Sequence, residues 1–172
     1  MYITLPSRRL VFGLMAAASC GLLASGLALG DYLRLAPCYL CNFQRFLYIT
    51  IALLAACACA TNRWPRTWGL LAGLTALWGI ATAVEQSWMQ YAPDQVTECG
   101  MSDPTLVETI VNWLSMKWPA MFMVTGFCTE KDWTFIGLTL ANWSVFCFLA
   151  LAGIAFWQAY GLSRFVSLTK LF

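Results

Sequence analysis

Four long stretches of this chain carry no charged side chain, and that fact limits what it can fold into more than any other. They are Leu10 to Gly30 (21 residues), Phe46 to Asn62 (17), Thr67 to Val84 (18) and Trp133 to Ser163 (31). About 20 apolar residues of helix cross a bilayer, and in hydrocarbon every backbone N–H and C=O must be satisfied within the segment. Each run therefore reads as one spanning helix, the second and third extending to Arg45 and Glu85 at their outer ends. With 60% hydrophobic and only 10% charged residues, the chain lies outside the range of soluble domains, which hold about a quarter charged. The expected fold class is an all-α membrane protein: a four-transmembrane-helix bundle with two outer loops, forming one integral membrane domain over 1–172. The helices are placed at about 10–30, 43–62, 67–86 and 136–162, and the loops at about 31–42 and 87–135. The first run is longer than the 7 to 15 residues usual for a signal-peptide core, and reads as a retained signal-anchor.

The charges orient the spans. Arg8 and Arg9 precede the first run, Arg63 and Arg66 sit in the tight second connection, and Arg164 and Lys170 follow the last run. The third connection holds seven acids, Glu85, Asp94, Glu98, Asp103, Glu108, Glu130 and Asp132, against Lys117 and Lys131. Cytoplasmic loops are the ones enriched in Lys and Arg, so both termini and the second connection are expected inside. The first and third connections then face outward.

That orientation sorts the eight cysteines. Cys20, Cys57, Cys59 and Cys147 fall within spans, where a thiol acts as a small hydrophobe. Cys38, Cys41, Cys99 and Cys128 all fall on the outer side, where disulfides persist. Four cysteines allow three pairings, and the CxxC neighbours make Cys38–Cys41 with Cys99–Cys128 the economical one.

Cys38 and Cys41 lie in Pro37-Cys38-Tyr39-Leu40-Cys41-Asn42-Phe43-Gln44-Arg45. If Pro37 opens a helix, both thiols sit near its positive end, which lowers thiol pKa, and Arg45 shares a face with Cys41 at i,i+4. That describes a redox-active pair. A CxxC is also half of a zinc site, but the chain has no second CxxC and no histidine. A static structural disulfide remains the plainer reading of the same residues, and a snorkelling interfacial residue that of Arg45.

Between Cys99 and Cys128, Asp103 suits an N-cap, Pro104 a first helical position and Pro119 a stop. Val107, Ile110, Val111, Leu114 and Trp118 recur at helical spacing, with Glu108, Asn112 and Ser115 pointing elsewhere. This predicts a short amphipathic helix, lying on the outer membrane surface or packed on the bundle ends. Tryptophans near helix ends, such as Trp64, Trp68, Trp88 and Trp133, suit interfacial anchoring. No G-x-G-x-x-G or G-x-x-x-x-G-K-[ST] occurs, so nothing supports nucleotide chemistry, and nothing supports nucleic-acid binding.

Two thiol pairs on one face allow a disulfide to be passed from one to the other. A disulfide exported to a client leaves two electrons behind. Without haem histidine or nucleotide motif, a lipid-soluble quinone is the natural acceptor, and Arg45 is placed to stabilise a thiolate and charge developing on a quinone oxygen.

The Pro37 to Arg45 stretch, the four spans with both cysteine pairs outside, and the run Phe127-Cys128-Thr129-Glu130-Lys131-Asp132-Trp133-Thr134-Phe135-Ile136-Gly137-Leu138 resemble the DsbB family of bacterial inner-membrane disulfide-generating proteins. The resemblance implies a multi-pass protein of the bacterial cell inner membrane with both cysteine loops in the periplasm. It implies that a reduced periplasmic DsbA-like thioredoxin-fold partner attacks Cys99, that the released Cys128 attacks Cys38, and that Cys41 is freed to donate to ubiquinone or menaquinone near Arg45. Well-known members carry a Glu-His pair near the quinone where this chain reads Glu85-Gln86, so Glu85 and Gln86 are further quinone-contact candidates, Gln86 as an amide donor. Two other functions stand beside this one: a dedicated oxidase for one specialised client, similar to the DsbI or DsbH branches, and a non-catalytic four-helix scaffold stapled by two disulfides.

Overall fold

The computed structural model describes residues 7–61, 64–92, 105–129, 131 and 133–161. Its four long helices are α1 (Arg8–Leu33), α2 (Tyr39–Thr61), α3 (Pro65–Tyr91) and α6 (Leu140–Phe156), the last prolonged by a π-helical turn over Trp157–Gly161. Each is long and apolar enough to cross a membrane. Two short helices, α4 (Leu106–Lys117) and α5 (Pro119–Phe122), and a two-residue hairpin, β1 (Thr134–Phe135) with β2 (Leu138–Thr139), fill the connection between α3 and α6. The chain is thus the four-helix membrane bundle expected from its uncharged runs.

α1 packs on α2, α2 on α3, and α3 on α6. A core of Phe12, Met15, Phe43, Leu47, Ile51 and Phe148 runs through the centre, with the Tyr48 and Phe148 rings stacked 4.3 Å apart to join α2 to α6. Leu14, Leu53, Leu74 and Leu149 stay exposed on the helix exteriors, as suits faces turned to lipid. The most extensive helix contact is α3 with α6, where small residues let the backbones approach. A Cβ on Gly69 would stand 2.8 Å from the Ala155 carbonyl oxygen, and one on Gly79 2.5 Å from the buried Phe148 ring. A valine at Gly69 must push backbone aside, and overpacking of this kind costs about 1–3 kcal/mol. Gly69→Val is expected to lower the thermal unfolding midpoint in detergent while leaving the spectroscopic helix content unchanged; an unaltered midpoint would show that α6 yields at no cost.

Several boundaries differ from the sequence expectation. α2 begins at Tyr39, so Cys41 and Asn42 are helical and not in the loop, and α3 runs on to Tyr91. The fourth span starts at Leu140 rather than 136, because the long uncharged run is partly spent on the hairpin, whose turn residues Ile136 and Gly137 both have positive φ (55° and 75°). That conformation matches strand twist in tight hairpins but is costly for isoleucine, about 1–2 kcal/mol.

α4 is capped by Thr105, whose hydroxyl accepts from Glu108 N–H while the Glu108 carboxylate accepts from Thr105 N–H. Asp103 and Pro104 lie outside the described residues. Glu108 is buried by this role rather than turned to solvent. Val111 and Leu114 are buried and Val107 and Ile110 pack on the core, so α4 sits on the bundle end. Leu106, Trp113, Met116 and Trp118 remain exposed, Trp118 against the expectation that it joins the packed face.

Candidate functional site: three sulfurs at the head of a membrane helix

Cys38 occupies the cap position of α2. Its carbonyl accepts from Asn42 N–H at 3.1 Å, and its sulfur accepts from Cys41 N–H at 3.5 Å. Pro37 therefore stands one residue outside the helix end rather than opening it. The CxxC spacing returns Cys41 to the same face one turn on, with its sulfur 3.3 Å from that of Cys38.

On the other side, Cys38 meets Cys128, and the two form a small buried cluster with Leu40. Cys38 and Cys128 are 2% and 7% exposed, so both sulfurs are shielded from water. Cys38 thus meets two sulfurs, Cys41 from its own helix and Cys128 from the connection between α3 and α6. Contact with Cys128, then contact with Cys41, then burial push the Cys38 thiol above its ordinary range. This corrects the expectation that the helix end lowers both thiols: at Cys38 the neighbouring sulfurs and burial outweigh it. Cys38 is therefore poorly suited to carry negative charge.

The polar groups around Cys41 come from α2 and α3. Gln86 donates from Nε2 to Cys41 Sγ at 2.9 Å, with Cys38 Sγ 3.7 Å away. Its carbonyl oxygen accepts from Gln44 Nε2 at 2.9 Å, which fixes the amide so that its N–H side faces sulfur. An N–H aimed at sulfur stabilises charge there. Gln44 and Gln86 are both buried, at 5% and 4% exposure, and buried amides within a span are costly unless paired. Arg45 donates from Nη1 to Asn42 Oδ1 at 3.1 Å and to the Met121 carbonyl at 2.8 Å.

A cavity of about 420 Å³ opens beside these groups. Cys38, Cys41, Gln44, Arg45, Gln86 and Tyr48 line its polar side, and α1 (Leu22, Leu29) and α6 (Trp143, Cys147) supply apolar wall. Its size and apolar walls fit a flat ring of quinone dimensions. Arg45 Nη2 and Nε, which take no part in the two Nη1 bonds, match a carbonyl-bearing headgroup.

The structure brings Cys38, Cys41, Cys128, Arg45 and Gln86 together. Glu85 is not among them: it is exposed and does not line the cavity. One residue's rotation on a helix is about 100°, so neighbours in sequence face different ways. Cys99 lies outside the described residues. Sequence reasoning did not single out Gln44, Asn42 or Tyr48. A polar amide inside an apolar run, on the same face as Cys41, was the signal available for Gln44.

A family model described as disulfide bond formation protein DsbB matches residues 8–158. Relatives named disulfide bond formation protein B include one from Dechloromonas aromatica, 43% identical over 144 residues, covering 84% of this chain and 87% of the relative. Another, from Azoarcus sp., is 39% identical over 163 residues, covering 92% and 97%. A third, from Acidovorax sp., is 36% identical over 146 residues, covering 84% and 83%. On these matches, and with four helices able to cross a membrane, this chain belongs to the DsbB family of disulfide-forming membrane oxidoreductases.

Proposed function

We propose that the protein reoxidises a periplasmic DsbA-like thioredoxin-fold partner and delivers the two electrons to ubiquinone or menaquinone in the bacterial inner membrane, with both of its termini cytoplasmic. The observation that carries this reading is the position of Cys38, in contact with Cys128 on one side and 3.3 Å from Cys41 on the other, at the wall of a cavity lined by Arg45 and Gln86. A structural staple needs two sulfurs in contact. A relay needs a third.

A partner thiolate attacks Cys99 of the Cys99–Cys128 disulfide, forming a mixed disulfide and releasing Cys128 as thiolate. Cys128 attacks Cys38, the Cys38–Cys41 bond breaks, and Cys41 leaves carrying the electron pair. Gln86, oriented by Gln44, stabilises that charge at 2.9 Å, and Arg45 adds a permanent positive charge one helical turn away. The second partner thiol then displaces Cys99; Cys99 attacks Cys128, the Cys38–Cys128 bond breaks and Cys38 leaves as thiolate, and its bond to Cys41 re-forms once the pair gives up two electrons. Arg45, Gln86 and the apolar walls of α1 and α6 would hold a quinone headgroup, which supplies the acceptor for two electrons and two protons.

Anaerobic reduction of a short-chain quinone, followed optically after adding the reduced partner, tests this reading. Turnover that vanishes in Cys38→Ser is expected; no turnover with either quinone class, in folded and disulfide-bonded protein, would reject it. In the same assay Arg45→Ala is expected to raise the quinone KM about tenfold, the loss of one charge-assisted bond. Unchanged quinone kinetics would reduce Arg45 to an anchor for the Met121 carbonyl.

A further inference from the structure

Asn42 follows Cys41 in the first turn of α2 and is fully buried, yet it touches no sulfur in any hydrogen bond. Its Nδ2 donates to the carbonyls of Phe122 (2.9 Å) and Met123 (3.1 Å), some 80 residues away in sequence. Its Oδ1 accepts from Arg45, which itself donates to the Met121 carbonyl at 2.8 Å. Three consecutive carbonyls at the end of α5, which a four-residue helix leaves without intrahelical partners, are thereby captured by one turn of α2.

Immediately downstream the same segment is fastened a second time. Thr125 N–H and Gly126 N–H both donate to the Pro37 carbonyl, at 3.0 and 3.3 Å. Gly126 lies so close to the first loop that an added Cβ would stand 2.2 Å from the Ala36 carbonyl oxygen. Two residues later the chain reaches Cys128, in contact with Cys38. Residues 121–128 are thus strapped across residues 36–45, and the strap ends on the attacking sulfur.

We propose that Asn42 is a positioning residue for the interloop exchange, holding the segment that carries Cys128 so that its sulfur is delivered to Cys38. This rests on the relay proposed above and assigns one of its steps to a residue that reacts with nothing. In that step the Cys128 thiolate forms a bond to Cys38, the Cys38–Cys41 bond breaks and Cys41 departs as thiolate; one disulfide replaces another and no electrons enter or leave. Only an amide does the work of Asn42, since it donates to two carbonyls and accepts from a guanidinium at once. Leucine does neither, and aspartate keeps only the acceptor.

The test uses full-length protein freed of quinone, mixed anaerobically with reduced partner, quenched in acid, alkylated and mapped for disulfides over time. Asn42→Leu is expected to slow formation of the Cys38–Cys128 bond about 10- to 100-fold, the usual cost of misplacing reacting groups by about 1 Å. Gly126→Ala, which pries the strap from the opposite side without touching α2, is expected to slow the same step. Its quinone reduction should stay within twofold of wild type when dithiothreitol reduces the Cys38–Cys41 pair directly. Should Asn42→Leu fail to fold, Gly126→Ala decides alone. Formation of the bond at the wild-type rate in the folded variants overturns the positioning role and leaves the relay standing. Equal loss of the interloop and dithiothreitol-driven rates in Gly126→Ala overturns it too, as a general structural defect. A wild-type protein that never forms the Cys38–Cys128 bond overturns the relay, and the positioning role with it.

Discussion

Cys41→Ser is expected to lower partner-driven quinone reduction by about 10⁴-fold or more, the scale on which an enzyme loses rate when its reacting group is removed. Serine cannot enter a disulfide, so no bond at Cys38 remains for Cys128 to break and no thiolate is delivered to the cavity. The outer half of the relay survives: partner and Cys99 still exchange, and a mixed disulfide between them should be trapped on non-reducing gels. The contrast between a lost inner reaction and a preserved outer one separates this variant from a misfolded protein. Normal turnover would sink the assignment of Cys41 as electron donor. Cys41 lines the cavity 3.3 Å from Cys38, with the Gln86 N–H aimed at its sulfur.

Among residues that do not themselves exchange disulfides, Gln86→Leu should have the largest effect, with kcat for quinone reduction falling about 10- to 150-fold. Leucine replaces the glutamine at similar volume but removes the N–H that stands 2.9 Å from Cys41 Sγ, and hydrogen bonds to charged groups contribute about 1.5–3 kcal/mol. It also leaves the Gln44 amide, now 5% exposed, without the acceptor it reaches at 2.9 Å. Gln44→Leu should cost less, because Gln44 acts on sulfur only through the orientation of Gln86. Gln86→His restores a donor and should retain more activity than leucine. Stopped-flow measurement of quinone reduction across the three variants checks that order; a Gln86→Leu enzyme with wild-type kcat would show that the amide only fills space.

The spans were legible because charge is so costly in hydrocarbon that its absence over 17 to 31 residues leaves few alternatives. Their ends were less so. Charged residues mark where a chain can leave the membrane, whereas hydrogen bonding fixes where a helix starts, and α2 starts four residues before the expected 43 because Cys38 itself caps it. The hairpin over Thr134–Thr139 escaped notice because its turn holds Ile136 where asparagine or glycine would have announced it. At the site, the side of the membrane picked out Cys38, Cys41 and Cys128, and helical spacing picked out Arg45. Gln86 and Glu85 came in together through the resemblance to the DsbB family, and of the two Glu85 is exposed and does not line the cavity. The Gln44–Gln86 pair and the Asn42 strap are tertiary, joining residues 42 and about 80 positions apart, and no local pattern encodes them.

The central claim is that Cys38 is the junction through which a disulfide passes from Cys128 to Cys41. Peptide mapping of quinone-free protein, quenched soon after mixing with one equivalent of reduced partner, tests it most directly. The account predicts a Cys38–Cys128 disulfide together with an alkylated Cys41. Partner that becomes oxidised while the Cys38–Cys41 bond stays intact at every time point would contradict it.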